Sequence, residues 1–452
     1  MAGTSSNPTY AAIQAILKTK YPDGSIPQAL YKNFPFLSLV KKTTNFDGDY
    51  RVVALQNERP QGSSYDFTTA QGVSKGGLNG GGGSYKRFQV YRTKHYGLLR
   101  MDGETMKAAV RTSGALVDLW NQETDGVSTN ELSELEFQLF GDGTGVRATV
   151  GSWNNTTSTV QLATPTDIVY FSIGMKIGLV IGGVEYGRSD AAGADNSSTG
   201  QGAYVYSINR EAGSFVISNA SGTVLVVPPA AGVQFNGVSP AAGNGIVRRG
   251  DHNLNPGGGT FTTGNSATGP VTGVQAWIPS TVTATPYWTL DRTQDRVRLA
   301  GQRLNASGLP MNEALMEGEG KVAIQGVGYP DTIFVNPLDL QNLKKALGSD
   351  IVYDRVQSNI AGISFKAIEY DGANGPMKII SAPFCPRNKA MMLQMPSWEL
   401  STLGPAPQML DFDNNDYLRV VDADQYEVRF GHYGQFICNN PGANIVIDNF
   451  GL

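Results

Sequence analysis

Alternating hydrophobic and polar residues predict two β-strands in the first quarter of the chain. Residues 50–55 have this alternation, and Phe88 and Val90 fall on one side of a second alternating run, residues 86–92. The segment between them, residues 60–84, is polar and includes a run of glycines close to its end. A two-stranded arm is only marginally stable in water by itself. We therefore expect an arm with a flexible tip that lies on another protein surface.

A hydrophobic repeat of helical spacing follows and predicts a long helix over residues 103–140. Leu132, Leu135 and Leu139 form one apolar stripe along it. The glycine-rich residues 141–145 end the helix. Backbone N–H groups at a helix C-terminus are already hydrogen-bonded, so we interpret this stretch as a helix cap and not as a phosphate-binding loop.

Three shorter helical segments are predicted in the second half of the chain, at residues 289–304, 311–322 and 337–347. The last has the most complete signature, because Asn336 is an N-cap residue and leucines recur along one face. Alternation returns at residues 426–430, which predicts a strand near the C-terminus.

Residues 146–286, between the long helix and the later helices, have the texture of an all-β region. Short alternating runs are separated by glycine, asparagine and serine. The predicted strands include residues 158–162, 176–181, 204–208, 214–218 and 223–227. We predict a β barrel or sandwich that is inserted into an α+β domain.

The composition excludes two broad classes of protein. The chain has 452 residues, of which 40% are hydrophobic, so it is not intrinsically disordered. It has 2 cysteines, too few for a disulfide scaffold. Charged residues make up 16%, against ~25% in an average soluble chain, and 55 residues are glycine. Few charges and much glycine indicate a β-rich chain that buries surface against other chains.

The charge and hydropathy of the chain indicate whether nucleic acid or a membrane is a partner. The 35 basic and 39 acidic residues give a formal net charge of −4, and tight binding to nucleic acid usually needs a basic excess. The hydrophobic stretches fall short of the ~20 residues that span a bilayer. The first residues lack the pattern of a signal peptide, so we expect no membrane association and assembly in a cytoplasm. Cys385 and Cys438 are expected to be free thiols.

Motifs for catalysis and cofactors are weak. Ser74 stands in a G-x-S-x-G sequence, but a nucleophile elbow needs a strand before it and a helix after it, and the polar tip offers neither. The three histidines, His95, His252 and His432, are far apart in sequence, and the common zinc and nucleotide motifs are missing. We therefore predict no enzyme activity, no cofactor and no metal site.

Two charged clusters and the tryptophans have alternative interpretations. An aspartate-rich segment, residues 411–422, is spaced like a calcium loop, but Asp416 replaces the glycine of the sharp turn, so a solvated β-turn is expected. An arginine cluster could bind a polyanion, but it is interleaved with Asp291 and Asp295, so a salt-bridged helix face is expected; its members are Arg292, Arg296, Arg298 and Arg303. The tryptophans of the β region fit either a glycan-binding module or a buried core; they are Trp153, Trp277 and Trp288.

The order of the segments resembles that of the major capsid proteins of tailed bacteriophages, which share the coat fold first seen in the Hong Kong phage. A proline-broken N-terminal segment is followed by a glycine-tipped two-stranded loop and by a long helix that ends in Gly-Asp-Gly-Thr-Gly. Further similar stretches are residues 11–39, 277–279, 336–345 and 440–447.

The resemblance implies an α+β coat fold with peripheral and axial domains and one insertion. The implied parts are an N-terminal arm (1–49), an extended two-stranded loop (50–102), the spine helix of the peripheral domain (103–145), an inserted all-β barrel or sandwich (146–286), the return to the peripheral domain (287–330), an axial domain (331–400), and axial and peripheral strands up to the C-terminus (401–452).

The resemblance also implies a function. The chain would be a structural subunit that assembles into pentamers and hexamers of an icosahedral shell around the double-stranded DNA of a tailed phage, without sequence-specific DNA binding. Scaffolding, portal and decoration proteins would be further partners, and the virion its final location. Closed shells need heterologous contacts between copies. We expect Phe88, Val90 and Tyr91 to anchor the two-stranded loop on the adjacent subunit.

Two other functions remain open at this point. One is a phage tail, decoration or receptor-binding protein whose β region binds glycans. Such proteins usually contain β repeats, whereas this sequence has a long predicted helix and no repeats. The other is a hydrolase that uses Ser74.

Overall fold

The computed structural model describes most of the chain, and the chain is mixed α and β within the described residues. The described residues are 34–60, 62–76, 83–103, 119–154, 156–187, 203–218, 240–254, 256–258, 269–347, 357–360, 363–366, 368–372, 375–410, 418–420 and 423–451. Most of the predicted N-terminal arm, the predicted strand 223–227 and most of the aspartate-rich segment lie outside them.

The described α-helices range from a single turn to about six turns. They are α1 (Pro35–Leu39), α2 (Phe67–Gly76), α3 (Leu119–Phe140), α4 (Val274–Trp277), α5 (Arg296–Ala300), α6 (Met311–Gln325) and α7 (Pro337–Leu347). None of the described helices combines the length and hydrophobicity needed to cross a bilayer.

The described strands are mostly short, with the exceptions of β2–β5 and β22. In chain order they are β1 (Lys41–Thr43), β2 (Tyr50–Glu58), β3 (Ser84–Tyr91), β4 (Thr93–Asp102), β5 (Val146–Asn154), β6 (Thr159–Leu162), β7 (Lys176–Ile181), β8 (Val184–Tyr186), β9 (Ala203–Asn209), β10 (Ser214–Ser218), β11 (Gly245–Arg248), β12 (Gln302–Asn305), β13 (Thr332–Val335), β14 (Gln357–Ile360), β15 (Ile363–Lys366), β16 (Ile368–Gly372), β17 (Gly375–Ser381), β18 (Lys389–Leu393), β19 (Trp398–Thr402), β20 (Gln408–Met409), β21 (Leu418–Arg419), β22 (Gln425–Cys438) and β23 (Ile445–Asp448).

Two six-stranded sheets contain most of the strands of the second half of the chain. In the first, β22 pairs with β4 along one edge and with β19, β20 and β21 along the other, and β1 adds to β19. The second has the order β12-β23-β18-β13-β17-β16 and mixes parallel with antiparallel pairs. Two antiparallel pairs, β2–β3 and β14–β15, stand beside these sheets.

The strands β5–β11 form a seven-stranded sheet of their own. Strand β11 pairs with both β5 and β7, which closes a ring through β6, β10 and β9, and β8 is attached to β7. The hydrophobic core of this sheet is continuous with the rest of the chain, because its Phe171 and Phe215 belong to the same cluster as Phe36 and Phe140. The predicted domain boundaries stay predictions.

Most of the predicted elements are confirmed. Strands β2 and β3 pair antiparallel as the predicted arm, and α6 and α7 occupy the two predicted helical segments. Asn336 caps α7, since its Oδ1 accepts the N–H of Leu338 at 3.1 Å. The described part of the long helix is α3, in which Leu135 and Leu139 are completely buried.

Two local predictions were wrong. Residues 289–304 form one 3₁₀ turn and the short helix α5, because Gly301 leaves the helix at φ 68° and Gln302 starts a strand that pairs with β23. The tip of the two-stranded arm was expected to be flexible, but it contains α2. Asp66 begins this helix, since its Oδ2 accepts the N–H of Thr69 at 2.8 Å.

Glu136 of α3 joins this helix to the N-terminal part of the described chain. Its carboxylate is completely buried and accepts the N–H groups of Phe36 at 3.0 Å and of Leu37 at 2.7 Å, at the first turn of α1. Burial raises the pKa of Glu136 to about 7, although the two N–H groups oppose this shift. The buried carboxylate therefore gains a proton near neutral pH.

Glu136→Gln should change how stability depends on pH. The pKa of Glu136 is higher in the folded than in the unfolded chain, so its contribution to folding is complete below about pH 4.5 and is lost as the pH rises through about 7. Glutamine does not titrate. The unfolding free energy of the wild type should therefore fall relative to the variant by roughly 3 kcal/mol across this window, measured by denaturant titration. If the difference in unfolding free energy between the wild type and the variant did not change with pH, the raised pKa of Glu136 would be contradicted.

Candidate functional site

The three residues predicted as intersubunit anchors lie in the core of their own chain. Phe88 and Val90 are completely buried and Tyr91 is 5% exposed. Phe88 packs edge-to-face on Trp277 with ring centroids 5.2 Å apart, and Tyr91 stacks on Trp288. A side chain that is already enclosed within one copy has no surface to offer a neighbour. The expectation for these three residues is therefore corrected: in this structure they fix the ribbon β2–β3 to its own subunit.

The strand register explains the burial of Phe88 and Val90, whereas Tyr91 is paired with Tyr50 on the opposite face and is covered by Trp288. Directly paired residues of an antiparallel ribbon project from the same face. Val53 is paired with Phe88 and Arg51 with Val90, so these residues form the inner face. The alternation in the sequence identified this face correctly as the apolar one, but it could not show which protein surface covers it.

The outer face of the ribbon is exposed and partly apolar. Tyr50, Val52 and Tyr85 are 44%, 48% and 70% exposed. On the helix at the tip, Phe67 is also exposed, as is Tyr65 just before it. Exposed apolar patches of this kind often mark protein interaction sites. The ribbon thus presents a candidate contact surface, the outer ribbon face, whose apolar members on the two strands are Tyr50, Val52 and Tyr85.

Charged side chains hold the ribbon in place on the subunit. The guanidinium of Arg298 donates to the carbonyl oxygen of Asn57 and forms an ion pair with Glu58 at 2.7 Å. At the other end of β2, Arg51 forms an ion pair with Glu399. These contacts join both ends of β2 to the body of the subunit.

The arginine cluster has other partners than predicted. Arg292 is buried, donates to the carbonyl oxygens of Ala276 and Trp277, and lies over the Tyr287 ring. Arg303 forms a two-bond ion pair with Asp448. Of the predicted acidic partners, Asp295 lies 3.7 Å from Arg298, whereas Asp291 hydrogen-bonds to Thr293. Arg292 and Arg303 thus bind groups within their own subunit that are distant in sequence, and not the neighbouring aspartates.

Three further candidates from the sequence are placed as follows. Ser74 lies inside α2, not at a turn from a buried strand to a helix, so it lacks the geometry of a nucleophile elbow. Trp277 and Trp288 are completely buried, as expected for core residues. Asp416 lies outside the described residues, so the predicted β-turn stays a prediction.

The structure brings together a cluster that the sequence did not indicate. His95 on β4 is paired directly with His432 on β22, and a carboxylate oxygen of Glu131 on α3 lies within 4.8 Å of a ring nitrogen of each. The His95 Nδ1 lies 2.6 Å from the Glu131 Oε2, and the two imidazole rings stack with centroids 5.5 Å apart. No local motif signals this cluster, because its members come from three separate elements.

Burial and charge set the protonation of the two histidines differently. Burial and, to a smaller extent, the charge of His95 together lower the pKa of His432 to about 3, so His432 is neutral. Burial also opposes the charged form of His95, but the hydrogen bond and charge of Glu131 outweigh it and raise the pKa of His95.

A buried ion-pair network lies beside this cluster. Glu134 of α3 pairs with Arg147 of β5 and, at 3.2 Å, with Arg248 of β11. Burial alone would raise the pKa of Glu134, but the two arginines outweigh it and lower the pKa. The network therefore joins the long helix to two strands of the seven-stranded sheet.

Comparisons with known proteins identify a family for the second half of the chain. Residues 252–449 match the family model described as SU10 major capsid protein. This stretch contains every described element from α4 to β23. The match confirms the resemblance to tailed-phage major capsid proteins that the segment order predicted. A comparison with curated protein sequences gave no match.

Several solved structures are similar to the chain over nearly its whole length. The capsid asymmetric unit of cyanophage A-1(L) is 10% identical with a TM-score of 0.48, covering 97% of this chain and 98% of the other. The holo-SrpI encapsulin complex of Synechococcus elongatus PCC 7942 is 10% identical with a TM-score of 0.43, covering 98% and 95%. Gordonia phage Cozz is 12% identical with a TM-score of 0.40, covering 100% and 97%.

The two faces of the ribbon should respond differently to substitution. Phe88→Ala should lower the unfolding free energy of the subunit by about 3–5 kcal/mol, because it removes a completely buried ring from the contact with Trp277. Val52→Ser on the outer face should change it by less than about 0.5 kcal/mol. Denaturant unfolding of the unassembled subunits measures both. If the two substitutions changed the unfolding free energy equally, the assignment of Phe88 to the buried face and Val52 to the exposed face would be contradicted.

Proposed function

We propose that copies of this chain associate through the outer ribbon face to form a closed shell. The match of residues 252–449 to a major capsid protein family confirms that the chain is a capsid protein. The observation that supports the proposed contact is that the inner face is enclosed by its own subunit, whereas Tyr50, Val52 and Tyr85 are exposed on a ribbon held at both ends of β2.

A second copy of this chain is the occupant that we propose for this surface. Subunits of a shell form heterologous contacts that close into rings of five and six. A ribbon braced by Arg51 and Arg298 is positioned before assembly, so less conformational entropy is lost on association. The apolar members of its outer face gain free energy when a neighbour covers them. Each contact is modest, and the shell is stabilised by many of them together.

We propose that the finer organisation follows the family. The ring of strands β5–β11 would be the inserted β domain, the helix α3 the spine of the peripheral domain, and the sheet that contains β13 and β18 the axial domain. The arginine–glutamate pairs of Glu134 would then hold the insertion against the spine helix.

The shell would enclose phage DNA without binding it tightly. The virion would be assembled in the host cytoplasm. A net charge of −4 and the internal pairing of Arg292 and Arg303 leave little basis for tight phosphate binding. Scaffolding, portal and decoration proteins are the further partners that we infer from the family. We infer a structural role and not an enzymatic one, which agrees with the family description.

Electron microscopy of the purified chain tests the function itself. We expect hollow polyhedral shells, or rings of five or six subunits, in negative stain together with fast-sedimenting material. Stable trimers with no larger assembly would contradict the proposal and would favour a tail or glycan-binding protein.

The double substitution Val52→Ser with Tyr85→Ser should prevent assembly while leaving a folded subunit, because both side chains are exposed in the unassembled chain. The matched control is Val184→Ser with Tyr329→Ser, which removes an exposed valine and an exposed tyrosine from elsewhere on the subunit. Circular dichroism verifies folding, and sedimentation measures the fraction in shells. We expect this fraction to fall at least ~10-fold in the first variant, since a loss of 1.4 kcal/mol per contact already gives that factor. Normal shell yields from the first variant would contradict the proposed contact.

A further inference from the structure

We propose that His95, Glu131 and His432 form a binding site for a divalent transition metal, with Zn²⁺ as its occupant. The three side chains offer two imidazole nitrogens and one carboxylate oxygen. One potential ligand atom from each residue lies within 4.8 Å of the others. Two histidines and one glutamate, with a fourth position left for water, form a ligand set that binds zinc in proteins.

The backbone places these side chains on one face. His95 and His432 are directly paired residues of β4 and β22, so both project from the same side of the sheet. Helix α3 packs on that side and supplies Glu131. Gly97, two residues after His95, leaves room for the carboxylate, because a Cβ at this position would lie 2.5 Å from the Glu131 Oε1. Any other residue at position 97 would force the Glu131 carboxylate to shift from its present position.

The burial of His432 without hydrogen-bond partners among the described residues is the strongest sign of a ligand. Its side chain is 1% exposed, and neither ring nitrogen has a hydrogen-bond partner among the described residues. Buried polar groups are nearly always hydrogen-bonded, so such a histidine needs an explanation. His252 offers the contrast within the same chain, because its ring nitrogens contact the carbonyl oxygens of Thr144 at 3.1 Å and Gly183 at 3.0 Å.

The geometry requires only a small adjustment to hold the ion. Zinc bonds of about 2.0–2.2 Å keep tetrahedral ligand atoms about 3.3–3.5 Å apart. Ligand atoms as far apart as 4.8 Å therefore need to approach one another by roughly 1–1.5 Å, whereas the His95 Nδ1 and the Glu131 Oε2, at 2.6 Å, would separate by about 0.7–0.9 Å if both bind the ion. The hydrogen bond of 2.6 Å between His95 and Glu131 would be replaced by metal bonds.

The ion has a route to the site. His95 is partly exposed, with 16% of its side chain accessible. It lines a cavity of about 120 Å³ together with Thr93, Gln138 and Asp251. Once bound, the ion would link strands β4 and β22 to helix α3. It would thus stabilise the folded subunit, since a ligand that binds only the folded state shifts the unfolding equilibrium.

Metal content and spectroscopy of the full-length chain test the site. The protein is prepared without a histidine tag, dialysed against a chelator and titrated with Zn²⁺ or Co²⁺, with Mg²⁺ as the hard-cation control. We expect one tight Zn²⁺ equivalent per chain, a rise in Tm with Zn²⁺ that a chelator reverses, and visible absorption of a four- or five-coordinate Co²⁺ complex. Mg²⁺ should cause none of these changes.

His432→Gln and Glu131→Gln should each lower the Zn²⁺ affinity at least ~10-fold, because loss of an outer-shell partner alone costs ~10- to 100-fold. His252→Gln is the matched control and should keep the wild-type affinity. Loss of the Co²⁺ spectrum in His432→Gln, with unchanged circular dichroism, supports the site. If the wild type binds no Zn²⁺, or if His432→Gln binds it as tightly as the wild type, the proposal is overturned. The wild-type Co²⁺ spectrum decides the question even where a variant does not fold.

Discussion

The burial of the C-terminal part of α3, residues 131–140, is the constraint on which the rest of the structure depends. A carboxylate inside a protein is costly unless it is paired or hydrogen-bonded. The buried end of this helix carries three of them, and each is satisfied by a different part of the chain. Glu136 holds the first turn of α1, Glu134 holds arginines of β5 and β11, and Glu131 holds His95 of β4. Apolar side chains between them join one continuous core. The helix thus connects the N-terminal segment, the ring of strands and the sheet around β22.

The ribbon β2–β3 shows how one element can serve both the subunit and its assembly. Its inner face is part of the core, where Phe88 packs on Trp277, and its outer face is open. Because successive residues of a strand project to opposite faces, a single short sequence can meet both requirements. An arm fixed in this way keeps its exposed face in one orientation. This arrangement suits a protein whose copies must meet at defined angles, since a shell closes only if each contact repeats the same geometry.

The sequence predicted local elements well wherever the residues of the element themselves carry the signal. The cap at Asn336 and the leucine pattern identified α7 to the residue, and the alternation identified β7 and β10. Sequence-based prediction failed where residues far apart in the chain determine the local structure or the side-chain partners. Residues 289–304 read as a helix because of their charges, but β23 recruits Gln302 into a sheet. The interleaved aspartates suggested partners for Arg292 and Arg303, but buried carbonyl groups and Asp448 bind these arginines instead.

The sequence by itself determined the order of the elements, the mixed α and β class, and the resemblance to capsid proteins that the family match confirms. These properties follow from composition and periodicity, which are local. Only the tertiary structure decided that Phe88, Val90 and Tyr91 are buried within their own subunit and that His95, Glu131 and His432 meet. Periodicity shows that a strand has an apolar face but not what covers it, and it carries no information on which strands pair. Contacts between residues far apart in the chain arise from the packing of whole elements, and the hydrophobic effect that drives this packing is not directional.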